Sequence, residues 1–277
     1  MNQPDLAPLE ILQELPPDRP ALKFAVLDFD GTISTLRQGW EGIMRPLMLE
    51  MIAGPTPVDP DLEREVDEFI DHSTGIQTIF QMQWLAEAVK RHGRNPDYHD
   101  DPWWYKAEYN RRLMELVDRR IADIQSGRKA PSDYQIKGGL DFLAALQARR
   151  ISIYFFSGTD HGDVRRESTL IGAAAFAALI VGAPEGRAEC SKEAVLRQLI
   201  QERGFKGPEV LVVGDGRVEI ALGREVGALT LGMATDEVRR EGVNPRKRAR
   251  LEKAGAHAIA GDFTCLPKLL AWLGLSS

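Results

Sequence analysis

Two aspartates one residue apart, Asp28 and Asp30, stand between the apolar run Phe24-Ala25-Val26-Leu27 and the small pair Gly31-Thr32. Like charges this close repel, so the pair is tolerable only if a cation neutralises it or one carboxyl keeps its proton. Magnesium, a hard cation that binds carboxylate oxygens, would meet that need. Acids at strand ends also cap helices, and the pair alone does not separate the two readings.

Three further segments carry complementary groups. Ser157-Gly158-Thr159 follows the apolar Tyr154-Phe155-Phe156 and offers a hydroxyl and main-chain amides in a small-residue turn suited to an anion such as phosphate. In Cys190-Ser191-Lys192-Glu193 the serine is placed to cap a helix, which puts Lys192 in its first turn. A lysine there opposes the helix dipole, a sensible choice if both face one anion, although a solvated surface lysine fits the same pattern. After Val212-Val213-Gly214 come Asp215 and, four residues later, Glu219, both hard oxygen ligands.

These groups need rigid elements behind them. Apolar runs at 24–27, 151–156, 177–181, 210–213, 228–231 and 256–259 alternate with helical stretches, which predicts βαβ units and an α/β fold with a doubly wound parallel sheet. The acids then emerge at carboxyl ends of strands, where such sheets build their sites. Alternation lapses between about 36 and 132, where helical periodicity predicts helices over 59–71, 77–91 and 103–125. The inserted helices must hang over the carboxyl edge as a lid, with Gly127 to Pro131 as a hinge back into the core, which resumes at Ile136.

With 277 residues, 43% of them hydrophobic and 27% charged, the chain can bury one large core or two smaller ones. Its net charge of −6, with 41 acids and 35 bases and no long block of one sign, argues against nucleic-acid and anionic-membrane partners. The basic stretch Pro245 to Arg250 is expected to be the solvated start of a helix. Cys190 and Cys265 lack metal-type spacing, so a reducing, cytoplasmic home is expected. A polar, proline-rich start and the lack of any long apolar run predict neither export nor a membrane span.

In identity, order and spacing, four segments resemble the signatures of the haloacid dehalogenase (HAD) superfamily, phosphatase branch. They are Asp28-Phe29-Asp30-Gly31-Thr32, Ser157-Gly158-Thr159, Lys192, and Gly214-Asp215-Gly216-Arg217-Val218-Glu219, and the likeness runs from about Lys23 to Leu273. The resemblance implies a Rossmann-like core over residues 1–35 and 133–277, interrupted by a helical C1-type cap over 36–132. It implies that Asp28 is the nucleophile, that Asp30 is the general acid and base, and that Mg2+ is held by Asp28, the Asp30 carbonyl and Asp215. Thr32, Ser157, Gly158 and Lys192 would hold the phosphate, and Glu219 would orient the metal's waters or Lys192. In the cap, Thr74, Gly75, Gln77 and Thr78 form a polar turn that would read the leaving group, or would simply cap a helix.

The implied reaction is magnesium-dependent hydrolysis of a small phosphorylated metabolite, such as a sugar phosphate, through an aspartyl-phosphate. A phosphotransferase or phosphomutase uses the same acids and is the alternative; a non-catalytic metabolite-binding relative is a further one. Oligomeric state is not legible. Asp160 to Arg166 are expected to start a helix, and Trp103, Trp104 and Tyr105 to pack within the cap.

Overall fold

The computed structural model describes residues 9–276 except 17, 185, 187–196, 198–203 and 205. Its seven strands are β1 (Leu9–Ile11), β2 (Phe24–Leu27), β3 (Ser152–Asp160), β4 (Ala177–Ala183), β5 (Val210–Gly214), β6 (Leu229–Met233) and β7 (Ala258–Ala260). They lie in the order β1-β7-β6-β5-β2-β3-β4. All neighbours are parallel except the edge pair β1 and β7. This is the expected α/β fold with a doubly wound, Rossmann-like sheet. The chain runs outward from β2 through β3 and β4, then returns to the other side of β2 at β5, so β2 sits where the strand order reverses. A crevice opens beyond the strand ends at such a point.

Register brings the signature segments together. Leu27 of β2 lies opposite Phe155 of β3 and Val213 of β5, so the residues that follow these strands leave the sheet along one edge. Alternate residues of β2 feed different cores: Ala25 and Leu27 pack with Phe155, Leu211 and Val213, whereas Val26 packs with Tyr154, Phe156 and Val212. A strand buried on both faces has no reason to show polar alternation, which is why these runs read as continuously apolar.

Between β2 and β3 lie four helices: α1 (Glu41–Ala53), α2 (Pro60–Ser73), α3 (Thr78–His92) and α4 (Pro102–Gln125). They bury a hydrophobic cluster of their own, with Leu47, Met48, Val66, Leu85, Tyr105 and Val117 at its centre. Asp59 and Asp101 cap α2 and α4 by accepting from the Leu62 and Trp103 amides. Among the described residues the remaining helices are α5 (Gly139–Ala148), α6 (His161–Leu170), α7 (Arg217–Glu225), α8 (Pro245–Lys253) and α9 (Leu266–Trp272). Among the described residues no helix is long and apolar enough to cross a membrane.

Three elements depart from expectation. Helix α1 was not among the predicted helices; Pro46 interrupts its hydrogen-bonding pattern, and burial of Met44, Leu47, Met48, Leu49, Ile52 and Ala53 spreads its apolar residues around the axis. Strand β1 is too short for periodicity to reveal. Strand β3 continues through Ser157-Gly158-Thr159 to Asp160, which pairs with Ala183 after an irregularity, so this segment is not the turn that its small residues suggested.

Candidate active site

The Asp28 amide donates to the Val213 carbonyl across 2.8 Å, fixing the first acid beside the end of β5. Asp28 and Asp215 are both buried. Gly31 has φ +73°, and a Cβ there would lie 2.3 Å from Asp215 Oδ2, so the Asp215 carboxylate packs directly on the main chain that follows Asp30. Any side chain at position 31 would fill this cradle. Two carboxylates against a main-chain turn are hard oxygen donors and fit magnesium. Among the described residues no three metal-type side chains form a cage, and magnesium needs none because it keeps several waters.

Asp30 is held asymmetrically. Its Oδ2 accepts from Ser157 Oγ at 3.2 Å and from Thr159 Oγ1 at 2.8 Å. The Thr159 amide donates to Ser157 Oγ at 3.0 Å and fixes that hydroxyl in turn. Asp30 Oδ1 is buried without a partner among the described residues. Two donors therefore settle one oxygen and leave the other without a donor among the described residues. Sequence reasoning gave Thr159 no role of its own; its alternation with Ser157 along an extended strand, two residues apart on one face, was the available signal.

The turn between α2 and α3 closes on this edge. A Cβ on Gly158 would lie 2.8 Å from the Ile76 carbonyl oxygen, and a Cβ on Gly75, where φ is +97°, would lie 2.6 Å from Glu219 Oε2. Between turn and sheet lies a cavity of about 100 Å³, reached by Asp28, Asp30, Asp215, Ser157 and Gly158 from below and by Thr74, Gly75 and Thr78 from above. Gln77 is buried but does not line the cavity. Thr32 is likewise buried and does not line the cavity, and its hydroxyl has no partner among the described residues. Lys192 lies outside the described residues.

The basic stretch on α8 is not simply solvated. Lys247 Nζ donates to Asp215 Oδ2 at 2.6 Å and to Glu237. Burial acts to lower the Lys247 pKa, but the charges on Asp215 and Glu237 outweigh it and hold the ammonium above its ordinary value. Arg250 donates to the Asp215 carbonyl at 3.2 Å and to Thr74 Oγ1 at 3.2 Å, joining the metal-type acid to the helical turn. The lysine and arginine are three residues apart, so one face of a helix carries both.

A second buried network lies behind Asp30. Arg37 donates through Nε and Nη2 to Glu167 at 3.1 and 2.6 Å, and through Nη2 to Asp163 at 3.0 Å. Burial pushes the Glu167 carboxyl up to about 7, against the pull of Arg37. Asp160 begins α6 as expected and accepts from Lys106 and, at 3.1 Å, from Asn110, tying α4 to the sheet. His99 stacks on Trp104 and donates its amide to the Tyr105 hydroxyl, in keeping with packing roles for these aromatics.

A doubly wound sheet with an acid pair after its central strand and a third acid after the neighbouring one defines an α/β enzyme class that works at the strand-order switch. The chain belongs to the haloacid dehalogenase-like hydrolases, whose family model matches residues 22–227. It is a HAD-type hydrolase. No curated protein matches it. Solved structures share the fold at low identity. A predicted phosphoglycolate phosphatase from Haemophilus somnus aligns with TM-score 0.60 and 15% identity, over 90% of this chain and 97% of its own. A β-phosphoglucomutase from Clostridium difficile aligns with TM-score 0.58 and 13% identity, over 91% and 97%. A HAD family hydrolase from Deinococcus radiodurans, solved with bound phosphate and sodium, aligns with TM-score 0.51 and 19% identity, over 92% and 98%.

Proposed function

We propose that this protein is a magnesium-dependent phosphomonoesterase acting on a small phosphorylated metabolite, with a sugar phosphate as the substrate class and α1–α4 as its cap. The observation that carries this reading is the asymmetric Asp30 carboxyl, fixed by Ser157 and Thr159 in the cavity that Asp28 and Asp215 also reach. An acid held this way can give and take a proton beside a nucleophile.

In the proposed reaction a carboxylate oxygen of Asp28 attacks phosphorus. The bond from phosphorus to the ester oxygen breaks, and the proton on Asp30 passes to the departing oxygen. Asp30, now a carboxylate, takes a proton from water, whose oxygen attacks the aspartyl-phosphate; the bond to Asp28 breaks and phosphate leaves. The Ser157 and Gly158 amides are assigned to the transferring oxygens, since the Ser157 hydroxyl donates to Asp30, and Lys192 is assigned there by its place in the signature. The Asp28 and Asp215 carboxylates and the Asp30 main-chain carbonyl would hold magnesium, which would supply positive charge to screen these acids from the incoming phosphate. Glu219, under the Gly75 turn, supports the Asp215 side of the site.

Phosphate release from a metabolite panel, with and without magnesium, tests the proposal. Release that requires magnesium and disappears in Asp28→Asn is the expected result; release that survives in Asp28→Asn rejects the nucleophile. Formation of an isomeric phosphate in place of free phosphate would move the protein to the phosphomutases.

A further inference from the structure

We infer that Arg37 is a specificity-determining residue, and that with Tyr109 it selects phosphomonoesters whose leaving group is neutral and hydroxyl-rich over those bearing a second acid group. This rests on the phosphatase reading and extends it to the substrate class.

Arg37 follows the acid pair by a short segment and lines the cavity while its side chain stays buried. Glu167 and Asp163 take the Nε and Nη2 donors, which fixes the plane of the guanidinium. Nη1 meets no acceptor among the described residues. Two N–H groups on a rigid fork are thereby kept for something in the cavity. Tyr109, also on the cavity wall and buried, offers a hydroxyl that burial keeps protonated. Trp40 and Leu113 complete an apolar side suited to the carbon skeleton of a small ligand.

The charge balance decides which oxygen these donors want. Arg37 contributes one positive charge, and two carboxylates already face it. Whether or not Glu167 carries a proton, the trio is never net positive. The amino end of α3, at Thr78, offers only about half a positive charge. An extra carboxylate or phosphate on the leaving group would meet this excess of acids and pay desolvation with no further cation on the cavity wall among the described residues. A hydroxyl or ether oxygen accepts from Nη1 and Tyr109 at no such cost.

The test compares matched pairs at saturating magnesium: glycerol 3-phosphate against 3-phosphoglycerate, and glucose 6-phosphate against 6-phosphogluconate. The neutral member of each pair is expected to have kcat/KM about tenfold higher or more. Arg37→Lys, which keeps the charge and loses the fork, should raise KM for the neutral members about tenfold. Asp163→Asn, at a partly exposed position, and Glu167→Gln should each narrow the neutral-to-acid ratio several-fold. Calorimetric binding of the same compounds to Asp28→Asn should give the same order. A wild-type preference for the acid members overturns the inference, as does a ratio unmoved in both Asp163→Asn and Glu167→Gln when circular dichroism shows them folded. If binding follows the expected order but no compound is ever hydrolysed, the selectivity stands and the phosphatase reading falls. If none of the compounds binds or reacts, the selectivity falls.

Discussion

Lys247 Nζ sits 2.6 Å from Asp215 Oδ2, with both side chains 12% exposed. The acid of the fourth signature segment is therefore bound on one oxygen by a lysine from α8, and the same lysine holds Glu237. Both carboxylates would otherwise be neighbours in a poorly solvated place, and the ammonium between them is the countercharge that makes them compatible.

Lys247→Met should consequently destabilise the fold by about 3–5 kcal/mol, because it leaves buried carboxylates without their partner. Combining it with Glu237→Gln should recover part of that loss. Urea denaturation of the two variants and the wild type measures both effects; equal stability of Lys247→Met and wild type would show that the lysine is not the countercharge.

Asp30→Asn should lower turnover of alkyl phosphates by about 10²–10⁴-fold, the usual contribution of a positioned acid. The effect should shrink with p-nitrophenyl phosphate, whose leaving oxygen needs no proton. Equal losses on both substrates would place the defect in hydrolysis of the shared aspartyl-phosphate and not in protonation of the leaving oxygen.

Gly31→Ala and Gly75→Ala both place a Cβ against a carboxylate, within 2.3 Å of Asp215 and 2.6 Å of Glu219 respectively, at positive φ. Gly31→Ala is expected to weaken magnesium binding as well as activity, since the Asp215 oxygen must move. Calorimetric titration with magnesium and steady-state kinetics distinguish this from simple backbone strain, which costs about 1 kcal/mol and would leave metal affinity intact.

Glu167 shapes the pH dependence of stability. Its folded-state pKa, pushed up by burial to about 7, exceeds the ordinary value of 4.5, so the folded protein binds more protons between these limits. Its contribution is fully present below pH 4.5 and is lost as pH rises through about 7. His257 acts oppositely: burial lowers it from 6.5 to about 4, and its contribution is present above pH 6.5 and lost as pH falls through about 4. Thermal melts across pH 4 to 8 should show the falling slope flattened in Glu167→Gln. An unchanged slope in that variant contradicts the assignment.

Much of the fold was legible because its signals are local. Buried parallel strands need unbroken apolar runs, and six of the seven observed strands lie on runs the sequence displays; β1 was missed because three residues on a sheet edge carry no period. Helices α2, α3 and α4 follow polar starts and one-sided burial, whereas α1 hides behind Pro46 and burial on several sides. The meeting of the acid pair and Asp215 at one sheet edge could be read because each follows directly on an apolar strand.

What the sequence by itself determined, then, was the set of strands, the order of the signature segments and the identity of the acids, since each depends on neighbours a few residues away. Only the tertiary structure decided which distant groups meet those acids. Thr159 reaches Asp30 through a strand that continues where a turn was expected, Lys247 reaches Asp215 from a helix whose composition looked merely solvated, and Arg37 turns its fork toward the cavity because Glu167 and Asp163 lie behind it. Countercharge and hydrogen-bond geometry are set by atoms 30 to 130 residues apart in the chain, and no local pattern records which of them will be buried together.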